Sequence, residues 1–323
     1  MVEVGDPTTR PLVSIVMPAY NHEQFVAASI ESVCEQTYRP LELVVVDDGS
    51  SDSTASVVTS LAAEVRARLH RFVFDGQRNR GIASALNRAL SHARGEFVAT
   101  LASDDVYLPH KIERLLEIPD WDDPRTAAAF GDAQLIDRWG ERVGLLEDFS
   151  TADLTAGDAE PLALGHYMRW RHEPEPGPPG SYASLLRGPY IPGVASLIRR
   201  SALRAVGDFD ESRFVEDYAL WLHLARDHRI VAIPDVVAQK RFHGANVSVV
   251  RKRLVFRDML ELLVRERPYA RSDPVAAAER AASRDRVYDA VRHYGNGADL
   301  LWILARHPIG GPVDLLAARN RHR

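Results

Sequence analysis

Short apolar segments alternate with amphipathic segments along the first third of the chain. The apolar segments are typical of buried strands, and we predict them at 13–19, 41–46, 70–74 and 97–102. The amphipathic segments predict helices at about 22–36, 52–68 and 82–93. This repeated order of strand and helix predicts βαβ units built around a mostly parallel sheet.

The second half of the chain has a less regular pattern. It predicts strands at 127–137, 193–199, 230–233 and 236–242, helices at 201–206 and 216–228, and a proline- and glycine-rich loop at 173–180. From residue 251 the pattern is helical and rich in arginine and alanine. We therefore expect an α/β fold in which 1–115 and 116–250 are two halves of one domain, followed by a helical C-terminal extension at 251–323.

Composition excludes several classes of protein. The content of 46% apolar and 26% charged residues is that of a globular protein, and a net charge of −5 gives no reason to expect nucleic acid. Cys34 is the only cysteine, so a disulfide framework and a cysteine zinc site are not expected. Residues 1–10 do not resemble a signal peptide, and no apolar run reaches roughly 18 residues. We expect a cytoplasmic protein, with peripheral membrane contact left open.

Two adjacent carboxylates, Asp104 and Asp105, follow the apolar segment 97–102. In open α/β sheets, ligands bind just beyond the carboxyl ends of the strands, so this position is a candidate site. A helix cap would explain one acid, because Leu108 and Pro109 begin a new helical pattern. The other acid predicts a cation, such as a divalent ion held by carboxylate and diphosphate oxygens.

The turn after the first strand distinguishes between classes of nucleotide-binding protein. A dehydrogenase would carry G-x-G-x-x-G there, but residues 18–22 read Pro-Ala-Tyr-Asn-His, without glycine. The P-loop pattern is absent too. A nucleotide would therefore be held through its base and through a metal on its phosphates.

Four segments together resemble the family 2 glycosyltransferases, which have the GT-A nucleotide-sugar fold. They are VSIVMPAYN at 13–21, ELVVVDDGSSDST at 42–54, NRGIASALN at 79–87 with RGEF at 94–97 and SDD at 103–105, and 193–217 with GDFD and ED. Each pattern is weak alone, but their order and spacing make coincidence unlikely. The resemblance covers roughly residues 12–250. It implies a Rossmann-like, mostly parallel central sheet flanked by helices.

The resemblance assigns the donor nucleotide to the ends of the first two strands. Pro18, Tyr20 and Asn21 would border the base and donor, and Asp48 would accept a hydrogen bond from the base, commonly uracil. A UDP-sugar or dTDP-sugar is therefore favoured as donor. Turn formation and helix capping are the alternative explanation for Asp47 and Asp48.

Further matched residues would contact the sugar phosphates. Asn79 and Gly81 would shape the adjacent loop, although Gly81 is also explained by a positive φ. Arg80 would approach the phosphates or belong to a solvated face, and Arg241 would neutralise diphosphate.

The resemblance also implies a metal site with Mn²⁺ or Mg²⁺. Asp105 would be a metal ligand and Asp104 would contact ribose or sugar, although Ser103 replaces the first acid of the family's D-x-D motif. His243 would complete the metal shell or contact phosphate, and a purely structural role is equally compatible with a single histidine.

The pair Glu216-Asp217 begins a predicted helix. The resemblance makes Asp217 the general base that deprotonates the acceptor hydroxyl, while acids in a first helical turn are also favourable without any catalytic role. Glu216 would lie at the phosphates or the acceptor. Trp221, one turn later, would line the acceptor pocket or pack in the core.

These roles imply an inverting glycosyltransferase that moves a sugar to a hydroxyl of a glycan, a lipid-linked glycan or a small molecule. The alternative is a non-catalytic binding or regulatory protein on the same scaffold. The segment from 251 would pack on the core, form a homodimer or rest on a membrane, the last being disfavoured because acids interrupt its arginines.

Overall fold

The computed structural model describes residues 10–145, 151–153, 177–243, 246, 251–294, 299 and 303. The first part alternates strands with helices, as the pattern predicts. Its elements are β1 Val13–Ala19, α1 Val26–Cys34, β2 Leu41–Asp47, α2 Thr54–Arg68, β3 Arg71–Gly76, α3 Ile82–His92, β4 Phe97–Thr100, β5 Val106–Tyr107 and α4 Lys111–Leu116.

The second part mixes longer strands with helices of very different length. Its elements are β6 Thr126–Ile136, β7 Val143–Leu145, β8 Thr151–Asp153, α5 Tyr182–Leu185, β9 Ser196–Arg199, α6 Arg200–Val206, α7 Glu216–Asp227 and β10 Arg229–Arg241, with 3-10 turns at Pro119–Asp122 and Gly193–Ala195. The C-terminal helices are α8 Lys252–Arg265, α9 Arg267–Ala270 and α10 Pro274–Tyr294.

Eight strands form one mixed sheet in the order β3-β2-β1-β4-β9-β6-β10-β5. Strands β1 to β4 pair in parallel, and so do β6 and β10. Strand β9 lies antiparallel between β4 and β6, and β5 is antiparallel to β10. Because β9 is antiparallel to both of its neighbours, β4 and β6 run the same way. The strands β1, β2, β3, β4, β6 and β10 therefore all share one direction. The predicted α/β fold with a mostly parallel sheet is confirmed.

Both faces of the sheet are buried, which accounts for the nearly unbroken apolar strands. Along β1 and β2, alternate side chains enter two separate cores. One core lies against α1, α2 and α4 and the other lies against α3, α7 and the C-terminal helices α8 and α10. The described helices of the C-terminal extension thus contribute to the second of these cores.

Four predicted elements differ in detail. The first helix begins at Val26 and not at residue 22, with no side-chain cap, because the chain first makes a turn at 22–25. Strand β9 is limited to four residues after a 3-10 turn. The two predicted strands at 230–233 and 236–242 are one strand, β10, with register shifts around Pro234. Of the predicted loop at 173–180, residues 173–176 lie outside the described part of the chain.

Candidate functional site

The carboxyl ends of the parallel strands gather most of the predicted site residues at one edge of the sheet. His22 follows β1, Asp48 follows β2, Asp104 follows β4 and His243 follows β10. Because β9 runs in the opposite direction, the turn Gly193–Ala195 at its amino end lies at the same edge. This edge is the candidate site.

His22, Asp104 and His243 form a compact group of possible metal ligands. His243 Nε2 lies 3.1 Å from Asp104 Oδ2, and His22 Nδ1 lies 4.0 Å from Asp104 Oδ1. The two imidazole rings meet edge to face with centroids 5.6 Å apart. The three candidate ligand atoms lie within 4.8 Å of one another. Two nitrogens and a carboxylate oxygen suit a first-row divalent ion.

The protonation of this group is suited to binding a cation. Burial lowers the pKa of His22, which favours a neutral imidazole with a lone pair. Burial alone would raise the pKa of Asp104, but the hydrogen bond to His243 and the charge of Lys240 hold that pKa below its usual range. Asp104 is therefore an anion although it is buried.

Asp105, which the sequence predicts as a metal ligand, has other partners in the described part of the chain. Its Oδ2 accepts a hydrogen bond from Lys240 Nζ at 3.0 Å, and its Oδ1 accepts one from the Arg241 amide at 2.9 Å. Burial alone would lower the pKa of Lys240, but the negative charges of Asp105 and Asp104 raise the pKa of this lysine above its usual value. Asp105 anchors strand β10 and its lysine, while the neighbouring Asp104 contacts the histidines.

Asp48 holds the loop that follows β3. Its Oδ1 accepts hydrogen bonds from Gln77 Nε2 at 2.8 Å and the Arg80 amide at 2.9 Å, and its Oδ2 accepts one from the Gly81 amide at 2.9 Å. Gly81 has a φ of +93°, as expected for a glycine that ends such a turn. Asp48 therefore holds a loop that is distant in sequence, which is not the local turn of the structural alternative, and its role toward a base stays a prediction.

The carboxylate of Asp47 accepts fewer hydrogen bonds than that of Asp48 among the described residues. Its Oδ2 accepts from the Ser50 amide at 3.1 Å, whereas its buried Oδ1 has no hydrogen-bond partner among the described residues. Asn79 is exposed, and its amide nitrogen lies so close to Gly49 that a Cβ there would approach it to 2.9 Å. Tight packing of the two loops explains the glycine, whose φ is +75°.

The end of β1 contributes a side chain that joins two loops. Asn21 has a φ of +53°, and its Oδ1 accepts a hydrogen bond from the Ser51 amide at 2.8 Å. Asn21 therefore does not cap helix α1, which begins only at Val26. Pro18 is buried within β1, whereas Tyr20 is 45% exposed at the edge.

Two predicted phosphate ligands have other partners. The guanidinium of Arg241 donates to the carbonyl oxygens of Asp104 at 2.9 Å and Asp137 at 2.9 Å. It thereby fixes the loop that carries Asp104. Arg80 is exposed, and its Nη2 lies 3.4 Å from Glu211 Oε2.

Asp217 reaches the same edge from the first turn of α7. Thr100, the last residue of β4, donates its hydroxyl to the Gly193 carbonyl at 2.9 Å. A Cβ placed on Gly193 would lie 3.6 Å from Thr100 Oγ1 and 3.9 Å from Asp217 Oδ2. Asp217 is therefore close to the end of the strand that leads to Asp104, and burial raises its pKa.

The neighbours of Asp217 on α7 are buried. Burial and the charge of Asp217 raise the pKa of Glu216 to about 8. Trp221 is 2% exposed and packs in the core, so the structure gives it the packing role of the two alternatives. Its Nε1 has no hydrogen-bond partner among the described residues.

Sequence reasoning missed His22 and Lys240 as members of the site. His22 directly follows the matched segment 13–21, so its position after β1 was a usable signal. Lys240 gave no such signal, because a lysine near the end of a strand is ordinarily solvent-exposed.

The sheet order and the edge that gathers acids and histidines define a GT-A-like fold. The chain belongs to a particular family of this class, because the family model described as glycosyl transferase family 2 matches residues 14–207. Both predictions, of the family and of the fold, are confirmed.

Curated relatives agree with this assignment. An uncharacterized glycosyltransferase of Rickettsia felis is 30% identical over 241 residues, which are 74% of this chain and 35% of the relative. An Escherichia coli relative, UDP-Glc:alpha-D-GlcNAc-diphosphoundecaprenol beta-1,3-glucosyltransferase, is 44% identical over 102 residues, or 32% of this chain and 38% of the relative. The chain thus spans only about a third of the length of each.

Two solved structures share the fold. S. aureus TarS 1–349 in complex with UDP-GlcNAc has a TM-score of 0.59 and 17% identity, covering 95% of this chain and 79% of that one. The mannosyltransferase PcManGT of Pyrobaculum calidifontis, in complex with GDP-Man and Mn²⁺, has a TM-score of 0.57 and 19% identity, covering 98% and 88%. Among the described helices, none has the length and apolar content needed to cross a membrane.

Proposed function

We propose that this chain transfers a sugar from a nucleoside-diphosphate sugar to an acceptor hydroxyl, with inversion at the anomeric carbon and with help from a divalent metal. The observation that carries the proposal is the shared edge of the sheet. There the group of His22, Asp104 and His243 lies one short turn beyond β4, and Asp217 lies close to the end of that same strand.

Asp217 is the proposed general base. As the acceptor oxygen bonds to the anomeric carbon, Asp217 takes the hydroxyl proton, and the bond from that carbon to the diphosphate oxygen breaks. A sugar hydroxyl is a weak nucleophile at neutral pH, so the base contributes about 10²–10⁴-fold. Its raised pKa makes Asp217 a stronger base than an exposed carboxylate.

His22, Asp104 and His243 are the residues that would hold Mn²⁺ or Mg²⁺. Their donor atoms are near enough to share one ion, and two imidazole nitrogens with one carboxylate oxygen suit Mn²⁺ better than Mg²⁺, which prefers oxygen ligands. When bound, such an ion stabilises negative charge on a diphosphate. Lys240 adds a fixed positive charge beside Asp105 at this edge.

A uridine or thymidine diphosphate donor is favoured over a guanosine one. A carboxylate at the end of β2 would accept the imide N–H of a pyrimidine, and Asp47 and Asp48 both lie there. The names of the E. coli relative and of the TarS complex contain UDP-sugars, whereas PcManGT is in complex with GDP-Man. The proposed acceptor is a glycan, a lipid-linked glycan or a small molecule.

Three measurements test this function together. Nucleoside diphosphate release is followed with UDP-glucose, UDP-GlcNAc and GDP-mannose, each with Mn²⁺ and with excess EDTA, and NMR determines the anomeric configuration of the product. We expect metal-dependent turnover and inversion. Asp217→Asn should lower kcat by about 10²–10⁴-fold with little change in donor affinity, since only basicity is lost.

The control is Asp227→Asn, which removes an exposed acid from the other end of the same helix and should leave kcat unchanged. Full activity in EDTA, retention of configuration or normal turnover of Asp217→Asn would each contradict part of the proposal. No turnover with any donor would favour the alternative of a non-catalytic binding or regulatory protein.

A further inference from the structure

The loop before α7 is held by a residue from the C-terminal extension. Helix α7 begins after Val215, which offers no side-chain cap. Asp258 of α8 supplies an acceptor instead: its Oδ2 accepts hydrogen bonds from the Phe214 amide at 2.8 Å and from the Val215 amide at 3.1 Å. Two backbone donors that would otherwise lack partners are satisfied by a residue more than 40 positions away.

The same contact includes a buried arginine. The side chain of Arg213 is 0% exposed, and its Nη1 donates to Asp258 Oδ1 at 2.8 Å and to Glu261 Oε2 at 2.7 Å. Asp258 and Glu261 are three residues apart on α8 and so project from the same side of the helix. Arg213 offsets the charge of two buried carboxylates, and both Asp258 oxygens have partners.

We propose that Asp258 is a positioning residue for Asp217, so that helix α8 sets where the proposed base stands. This inference rests on the proposed function, because it assigns Asp258 a role only through Asp217. Asp217 follows Val215 by two residues, and its Oδ1 accepts from the Tyr218 amide at 2.7 Å. The direction of its carboxylate is therefore tied to the first turn of α7, and Asp258 fixes the start of that turn.

The alternative that Asp258 is itself a catalytic base is disfavoured by its contacts. It is 3% exposed, and its two oxygens accept three hydrogen bonds from Arg213, Phe214 and Val215. A displacement of about 1 Å at a catalytic group can cost about 10²-fold in rate. Loosening this contact should therefore lower turnover although Asp258 does not touch substrate.

The test compares Asp258→Asn with Glu261→Gln. An asparagine has one carbonyl oxygen, so it can serve the loop amides or Arg213 but not both. The control Glu261→Gln weakens the Arg213 ion pair and leaves Asp258 on the loop. We expect Asp258→Asn to lower kcat by about 10- to 100-fold with unchanged UDP affinity by calorimetry. Glu261→Gln should keep a kcat close to that of wild type even if its Tm falls as far as the Tm of Asp258→Asn.

A double-mutant cycle separates positioning from a general loss of structure. If Asp258 acts through Asp217, then Asp258→Asn should have little further effect on kcat in an Asp217→Asn background. The same fold-loss in both backgrounds, or a normal kcat of Asp258→Asn, would overturn the proposal. If Asp217→Asn itself keeps full turnover, the proposed base fails first and Asp258 has nothing to position.

Hydrogen exchange gives a readout that needs no substrate. The amides of Phe214 and Val215 should exchange faster in Asp258→Ala, which has no side-chain acceptor for them, than in wild type, and at the wild-type rate in Glu261→Gln. Equal protection of these two amides in Asp258→Ala and wild type would show that the contact does not hold the loop, which overturns the proposal even for a chain with no measurable turnover.

Discussion

At the scale of single residues, neighbouring side chains of the same type have different environments at this edge. Asp104 contacts two histidines, whereas Asp105 binds Lys240 and a strand amide. Successive residues leaving a strand point in different directions, so each acid meets different elements. A sequence motif locates such a pair, but it does not determine which of the two carboxylates faces a ligand.

Asp48 provides a test of stability at this scale. Asp48→Asn replaces one acceptor oxygen by an NH₂ group, which would face either the Gly81 amide or the Arg80 amide together with Gln77 Nε2. Since hydrogen bonds to a charged acceptor are worth about 1.5–3 kcal/mol each, we expect the free energy of unfolding to fall by about 2 kcal/mol or more. Urea denaturation monitored by circular dichroism measures this change.

The matched control is Asp47→Asn, which removes one contact to Ser50 and should cost less stability. If Asp48→Asn instead unfolds like wild type but loses affinity for UDP, the carboxylate serves the nucleotide and not the loop. That outcome would restore the role predicted for Asp48 from the sequence.

At the scale of elements, the first turn of α7 places a buried acid, Glu216, next to a half-buried one, Asp217. Acids near a helix N-terminus are stabilised by the helix dipole, which favours both Glu216 and Asp217 at this position. Burial opposes this stabilisation of the charged forms. The result is a helix start whose charge depends on pH near neutrality.

Glu216 therefore links stability to pH. Its folded pKa of about 8 lies above the usual value of 4.5, so the folded protein holds the proton more tightly than the unfolded chain. This contribution to stability is complete below about pH 4.5 and is lost as the pH rises toward 8. Glu216→Gln cannot lose a proton, so its Tm relative to wild type should increase from pH 5 to pH 8.5.

Differential scanning fluorimetry at both pH values measures this change in Tm difference. Glu261→Gln, a substitution of another buried acid, serves as the comparison variant. A Tm difference between Glu216→Gln and wild type that stays constant across pH would contradict the raised pKa.

The sequence predicted most elements because local pattern and tertiary burial agree in the βαβ part of the chain. The prediction of element boundaries failed where contacts between distant parts of the chain determine them. A strand interrupted by Pro234 was predicted as two, yet β6 pairs with residues on both sides and register shifts absorb the proline. The first helix starts at Val26, later than predicted. Asn21 accepts a hydrogen bond from the loop after β2 and does not cap this helix.

At the scale of the whole molecule, the candidate site is assembled from residues between 22 and 258. The position of His22 next to His243 depends on the order of strands in the sheet, which no local pattern specifies. The role of Asp258 depends on how α8 lies against the loop that precedes α7. These contacts could not be predicted because they join parts of the chain that are distant in sequence.

A metal that binds the folded site and not the unfolded chain should stabilise the molecule. At a free Mn²⁺ concentration of 100 times its Kd, the expected gain is about 2.7 kcal/mol, seen as a higher Tm. Asp104→Asn should remove most of this Mn²⁺-dependent shift, whereas Asp105→Asn should keep it, because the Asp105 oxygens bind Lys240 and a backbone amide. If the Mn²⁺-dependent increase in Tm were lost only in Asp105→Asn, Asp105 would be the metal ligand, as the sequence predicts.

The reversed strand β9 has a consequence for biosynthesis. It pairs with β4, yet about 95 residues lie between the end of one and the start of the other. While those residues are translated, the outer edge of β4 has no strand to pair with. At about 5–20 residues per second, that interval lasts roughly 5–20 s. An open strand edge is a template for unwanted pairing, so the nascent chain passes through an interval in which a chaperone has a defined target on it.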